Sequence, residues 1–184
     1  MKPPPPDWQT FQLGDGRTLA YRIYGDPEGR PLMALHGAPA TGYIYRIADG
    51  VARARGVKII APDRPGYGGS SPHPGRTLQT TTADHVALAD HLKLDRFPVL
   101  GVSGGGPYSV ALAAALGERV SSVALVSPVG ELTKLPRQAF NNRLHARFFL
   151  ALPHSRVMPL LTPVARWLML PMMRFSHRYM HFGL

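Results

Sequence analysis

The chain opens with apolar and polar positions arranged as two short strands. QTFQL and LAYRIYG flank a Gly-Asp-Gly turn at residues 14–16, which is the chemistry of a β-hairpin. PLMAL at residues 31–35 is a continuous apolar run that ends in His36 and Gly37. Such a run, short and bounded by turn residues, predicts a strand buried on both faces. Residues 43–54 carry apolar positions at helical spacing, and VKIIA at 57–61 predicts a second buried strand. The turn-rich run DRPGYGGSSPHPG follows it. A helix is expected over residues 81–92, with Thr80, Thr81 and Thr82 offering hydroxyls to cap its start. FPVLGV at 97–102 is the next strand, and residues 105–116 form an alanine-rich helix with Pro107 in its first turn, where a missing N–H costs nothing. SSVALVS at 121–127 is the last strand in the pattern.

A hairpin followed by alternating strands and helices predicts an α/β fold. Its sheet is mostly parallel, with helices on both faces and right-handed crossovers. After Leu132 the pattern changes. AFNNRLHARFFLAL, SRVMPLLTPVARWLML and MMRFSHRYMHF are amphipathic pieces interrupted by Pro159, Pro163 and Pro171. The organisation expected is a proline-rich arm over residues 1–8, a core over 9–131 and a basic helical lid or cap over 132–184.

Charge sharpens that boundary. The net charge is +10, and residues 132–184 contribute +8 of it, with eight Lys or Arg and no acid. Phosphate contacts come from such residues, but no nucleic-acid recognition motif accompanies them. RFFLAL and RWLMLPMMRF mix basic and apolar residues as interfacial helices do, which leaves contact with a membrane surface open. The reading preferred here is a lid with arginines facing water and an apolar face over a site. Met158, Met169, Met172, Met173 and Phe175 would line an adaptable apolar pocket. The chain has no cysteine, so disulfides and thiolate metal sites are excluded. The start MKPPPPDWQT lacks the apolar stretch of a secretory signal, and no run of apolar residues is long enough to span a bilayer. A cytoplasmic location is expected.

The candidate chemistry lies in GVSGGGPY, residues 101–108. Gly101-Val102-Ser103-Gly104-Gly105 fits G-x-S-x-G, set between a strand and a helix. That context would place the Ser103 hydroxyl on a sharp turn above the sheet's carboxyl edge, at a helix start that favours developing negative charge. A phosphate loop would need a following lysine, and a dinucleotide loop would need G-x-G-x-x-G; neither is present. A tight strand–helix turn with an incidental serine is the bland alternative. His36-Gly37-Ala38-Pro39, directly after PLMAL, supplies a second loop. Acyl transfer needs two backbone donors for its oxyanion, and the N–H groups of Gly104 and Ala38 are the candidates.

In order, GDGRTLAYRIYG, PLMALHGAP, APDRPGYGGSS and PVLGVSGGGPYSVALAAAL resemble the α/β-hydrolase fold family, in the serine branch with an HG-x-P oxyanion loop. The resemblance implies a serine hydrolase acting on an ester, amide or related carbonyl substrate of apolar character, with no cofactor. It assigns His36, Gly37, Pro39, Gly101 and Gly105 to supporting loops, and Asp63 to shaping the turn beside the site. Relatives acting on epoxides or haloalkanes carry aspartate where this chain has Ser103. The family order is serine, acid, histidine, the last two following strands seven and eight. About six of eight strands are visible here. The resemblance therefore implies a sequence that ends within the lid, with the acid and the histidine on a longer gene product.

Within the chain, Glu131 is the remaining acid candidate, although a solvated loop glutamate is the preferred reading. His145, His154, His177 and His181 fall in the lid segment and are read as surface residues, leaving the catalytic histidine unidentified. The His177–His181 pair has helical spacing but no acid beside it to complete a metal site. Loss of a triad base costs on the order of 10⁶ in kcat, so the 184-residue chain is expected to be a poor catalyst. The competing reading is a non-catalytic hydrolase-like module that binds a ligand or protein through an exposed sheet edge and the basic segment.

Overall fold

The computed structural model describes residues 8–130. The proline-rich stretch over residues 1–7, Glu131 and the expected lid over 132–184 lie outside the described residues. Six strands are present: β1 (Gln9–Gln12), β2 (Thr18–Gly25), β3 (Arg30–Leu35), β4 (Val57–Pro62), β5 (Phe97–Val102) and β6 (Val120–Val126). They form one sheet in the order β1-β2-β4-β3-β5-β6. β1 and β2 are the expected antiparallel hairpin, with Gln12 opposite Thr18. β2 also runs antiparallel to β4, and the remaining pairs, β4–β3, β3–β5 and β5–β6, are parallel. This is the mostly parallel α/β sheet expected from the sequence.

Both faces are covered because the inner strands carry apolar residues on both sides. On one face Met33, Leu35, Ile60 and Val99 meet Leu88 and Ala89 of α2 (Leu78–His91) and Leu112 of α3 (Gly106–Leu116). On the other, Ala34, Ile59 and Ala61 meet Tyr45 and Ala52, the latter on α1 (Asp49–Ala54). Neighbouring residues on one strand thus feed opposite cores, as the two-residue side-chain period of a strand requires. β6 differs. Among the described residues it pairs only with β5, and Val123, Leu125 and Val126 are 37–51% exposed.

Three local expectations need correction. Residues 43–54 are not one helix: a 3₁₀ helix spans Gly42–Ala48 before α1 begins. Tertiary contacts override the helical pattern here, since Gly42 N–H donates to the Asp63 carboxylate at 2.7 Å and buried Tyr45 donates to the Leu35 carbonyl at 2.9 Å. The α2 cap is Thr77 rather than the three threonines that follow Gln79. Thr77 Oγ1 accepts from Thr80 N–H at 3.1 Å, and Thr80 Oγ1 accepts from Thr77 N–H at 2.9 Å, which is a reciprocal capping box. Thr81 and Thr82 are instead buried within the helix. Finally, α3 starts at Gly106, because residues Ser103–Gly105 form a 3₁₀ turn, and Pro107 lies in its first turn as expected.

Candidate active site

β5 delivers the chain to Ser103, whose φ is +50°. The left-handed region is costly for a residue with a Cβ, so the surroundings must hold it there. They do so through close packing. A Cβ on Gly101 would collide with Ser109 Oγ and with Gly106 Cα, and one on Gly105 would fall on the Leu35 carbonyl. Only glycine at these two points lets β5, β3 and α3 approach so closely. Ser103 O accepts from Val129 N–H at 3.1 Å, tying the turn to the segment after β6. Among the described residues nothing hydrogen-bonds the Ser103 hydroxyl.

The loop after β3 lies against this turn. The point where a Gly37 Cβ would sit is 3.1 Å from Ser103 Cβ and 3.6 Å from its Oγ. The corresponding point on Gly104 is 3.5 Å from Ala38 N and 3.7 Å from Ala38 Cβ. Ser103, Gly104, Gly37 and Ala38 therefore meet at one spot, and the Ala38–Pro39 peptide bond is cis.

His36 is fully buried beneath this spot. Its Nδ1 lies 2.7 Å from the Gly37 carbonyl, and its Nε2 accepts from the Arg64 N–H at 3.1 Å. A carbonyl only accepts, so Nδ1 carries the proton and the ring is neutral. Burial first, and the neighbouring Arg64 charge second, push the His36 pKa down to about 3. Both nitrogens are engaged, so this ring has no free lone pair to take a proton from Ser103.

Arg64, 5% exposed, joins the two loops. Its Nη2 donates to the Gly37 carbonyl at 2.9 Å and its Nη1 to the Gly104 carbonyl at 3.0 Å. The guanidinium lies over the rings of Tyr108 and Tyr67, 4.8 and 5.1 Å from their centroids. Burial holds its pKa below the ordinary guanidinium value. Asp63, its neighbour in sequence, is also fully buried and entirely engaged. Its carboxylate accepts from Arg22 Nη1 at 2.9 and 3.0 Å, from Gly42 N–H at 2.7 Å and from Gly69 N–H at 3.1 Å. Gly68, at φ +51°, passes so near that a Cβ there would strike the Asp63 carboxylate. Asp63 thus binds β2, the 3₁₀ helix and the glycine loop together.

The described residues accordingly bring together Ser103, Gly104 and Ala38, with His36, Gly37, Gly101 and Gly105 packed around them. Glu131, His145, His154, His177 and His181 lie outside the described residues. Among the described residues no cluster of His, Asp and Glu could hold a metal ion, and no helix is long and apolar enough to cross a membrane. Sequence reasoning missed Arg64, Tyr67 and Tyr108. The available signal was a charged residue placed directly after a buried strand, but its partners Gly37 and Gly104 are remote in sequence.

The chain belongs to the α/β-hydrolase fold family, whose model matches residues 30–155. It is 35% identical over 115 residues to an uncharacterized hydrolase, YcgS, of Bacillus subtilis (strain 168), covering 62% of this chain and 39% of that protein. It is 33% identical over 108 residues to a proline iminopeptidase of Xanthomonas citri, covering 57% of this chain and 34% of the relative. A hydrolase of Pseudomonas aeruginosa PA01 superposes with a TM-score of 0.64 at 26% identity, covering 71% of this chain and 51% of that structure. The chain thus spans little more than a third of the length of these two curated relatives.

Proposed function

We propose that Ser103 is the nucleophile of a serine hydrolase that attacks the carbonyl of an ester, amide or related substrate. The observation that carries this reading is the Ser103 turn itself. The backbone is held at φ +50° between β5 and α3, with Ala38 N and Gly104 side by side next to it. In the proposed step the Ser103 Oγ bonds to the carbonyl carbon, its proton passes to a water molecule acting as base, and the electron pair of the broken C–O π bond goes to the carbonyl oxygen. The carbonyl oxygen becomes an oxyanion, which the N–H groups of Ala38 and Gly104 receive. One such donor is worth roughly 10²–10³ in rate, because it is already oriented in a site of low dielectric. The start of α3 adds a favourable dipole. A serine, rather than an aspartate, at this turn favours acyl transfer.

The test is covalent labelling with a fluorophosphonate probe. The wild-type chain should be labelled at Ser103, slowly for want of an identified base and faster in a C-terminally completed chain, and the Ser103→Ala variant should not be labelled. Equal labelling of both would remove the nucleophile assignment. A folded wild-type chain that resists the probe and hydrolyses no p-nitrophenyl ester would instead favour a non-catalytic binding module.

A further inference from the structure

Resting on the reading of Ser103 as nucleophile, we propose that Arg64 is a positioning residue that aligns and polarises the Ala38 oxyanion donor and clamps the Gly104 turn beside it, through one guanidinium. The Ala38 N–H shares its peptide unit with the Gly37 carbonyl. In a peptide the N–H and C=O point in opposite directions, so whatever holds the Gly37 oxygen aims the Ala38 N–H. Two donors hold it: Arg64 Nη2 at 2.9 Å and His36 Nδ1 at 2.7 Å. The other arm of Arg64 holds the Gly104 carbonyl at 3.0 Å, which clamps the turn on its Gly105 side; the peptide carbonyl of the Gly104 N–H itself is that of Ser103, held by Val129 N–H at 3.1 Å. The backbone N–H of Arg64 also donates to His36 Nε2, which forces the proton onto Nδ1 and so makes the His36–Gly37 bond possible.

The two contacts on the Gly37 carbonyl act on the Ala38 donor. A carbonyl that accepts from a cation and from an imidazole N–H is polarised, and its peptide N–H becomes a stronger donor. The positive charge lies behind the Ala38 donor, on an arginine that is 5% exposed, where it favours developing negative charge. The stacked Tyr67 and Tyr108 rings fix the plane of the fork, so its two arms reach the two loops in one geometry. Asp63 is fully occupied elsewhere and does not pair with this guanidinium.

The test is pre-steady-state acylation of Ser103 by an activated acetate ester, with apparent affinity and acylation rate constant measured separately in the wild type, Arg64→Met and Arg64→Lys. Thermal melts establish that each variant folds. Arg64→Met should slow acylation roughly 100-fold while leaving apparent affinity within about twofold. Arg64→Lys keeps the charge but not the fork, and should fall between Arg64→Met and the wild type. It decides the matter if Arg64→Met does not fold. A folded variant that acylates at the wild-type rate, or one that loses affinity and rate together, overturns the assignment. If Ser103→Ala is unreactive while the Arg64 variants behave as wild type, the nucleophile stands and the Arg64 inference falls. If wild type and Ser103→Ala react equally, both fall.

Discussion

Ser103 occupies a backbone conformation that its own chemistry disfavours. A Cβ in the left-handed region crowds the adjacent carbonyl, at a cost of about 1–2 kcal/mol relative to the right-handed one. Glycine has no such cost, so a purely structural turn at this φ of +50° would be expected to select glycine. Lys93 and Ser127 hold similar angles, so the φ alone does not single out Ser103; on the proposed reading, its strain is accepted to place a hydroxyl at that point. The comparison that isolates the effect is Ser103→Gly against Ser103→Ala, since both remove the hydroxyl and only one removes the Cβ. The glycine variant should be the more stable by about 1 kcal/mol in urea unfolding, even after the greater unfolded-state entropy of glycine is counted. An alanine variant of equal or greater stability would show that the turn is not strained.

At the level of elements, the junction of β5 with α3 depends on which glycine is altered. Gly105→Ala puts a methyl group onto the Leu35 carbonyl, backbone against backbone, and β3 has no room to retreat within the sheet. Gly104→Ala meets nothing closer than 3.5 Å. Gly105→Ala should therefore unfold the domain or destabilise it by more than about 4 kcal/mol, whereas Gly104→Ala should fold with a melting temperature close to wild type. Circular dichroism melts of the two variants distinguish these outcomes, and equal melting temperatures would refute the packing argument. The same junction shows what the sequence reveals. PLMAL, VKIIA and FPVLGV announce buried strands because apolar residues fill nearly every position, Lys58 being the exception, and G-x-S-x-G announces the turn because glycines mark close approach. The helical pattern of residues 43–54 does not show the break, because the contacts that make it come from Asp63 and Leu35, which are not local. Thr77 was overlooked as a cap because three further threonines follow shortly after it, and only the reciprocal bond with Thr80 singles it out. Arg64 was illegible for the same reason as the broken helix: its partners are defined by the fold.

On the scale of the whole molecule, two buried histidines make stability depend on pH. His36 and His85 are fully inaccessible, and burial, with Arg64 as a secondary cause, lowers both pKa values from 6.5 to about 3. An unfolded chain would bind a proton on each below pH 6.5, while the folded protein does not until about pH 3. The unfolded state therefore binds more protons throughout that window, so folding stability falls as the pH falls through it. For one such histidine the loss between about pH 7 and about pH 5 is roughly 2 kcal/mol. His85 offers the clean experiment. Unlike His36, which holds Gly37 and Arg64, its ring nitrogens have no hydrogen-bond partner among the described residues, and its ring meets Tyr108 edge-on, with centroids 6.4 Å apart. His85→Leu keeps similar volume and leaves no hydrogen bond broken, so at neutral pH its stability should stay within about 1.5 kcal/mol of wild type. Between about pH 7 and about pH 5 it should lose roughly 2 kcal/mol less than the wild type does. Carboxylates titrate in both proteins and cancel in that difference, so urea unfolding at the two pH values reads the histidine alone. Parallel pH profiles would mean that His85 protonates as readily in the folded protein as in the unfolded chain. Its burial beneath the Arg64 loop would then have no energetic consequence.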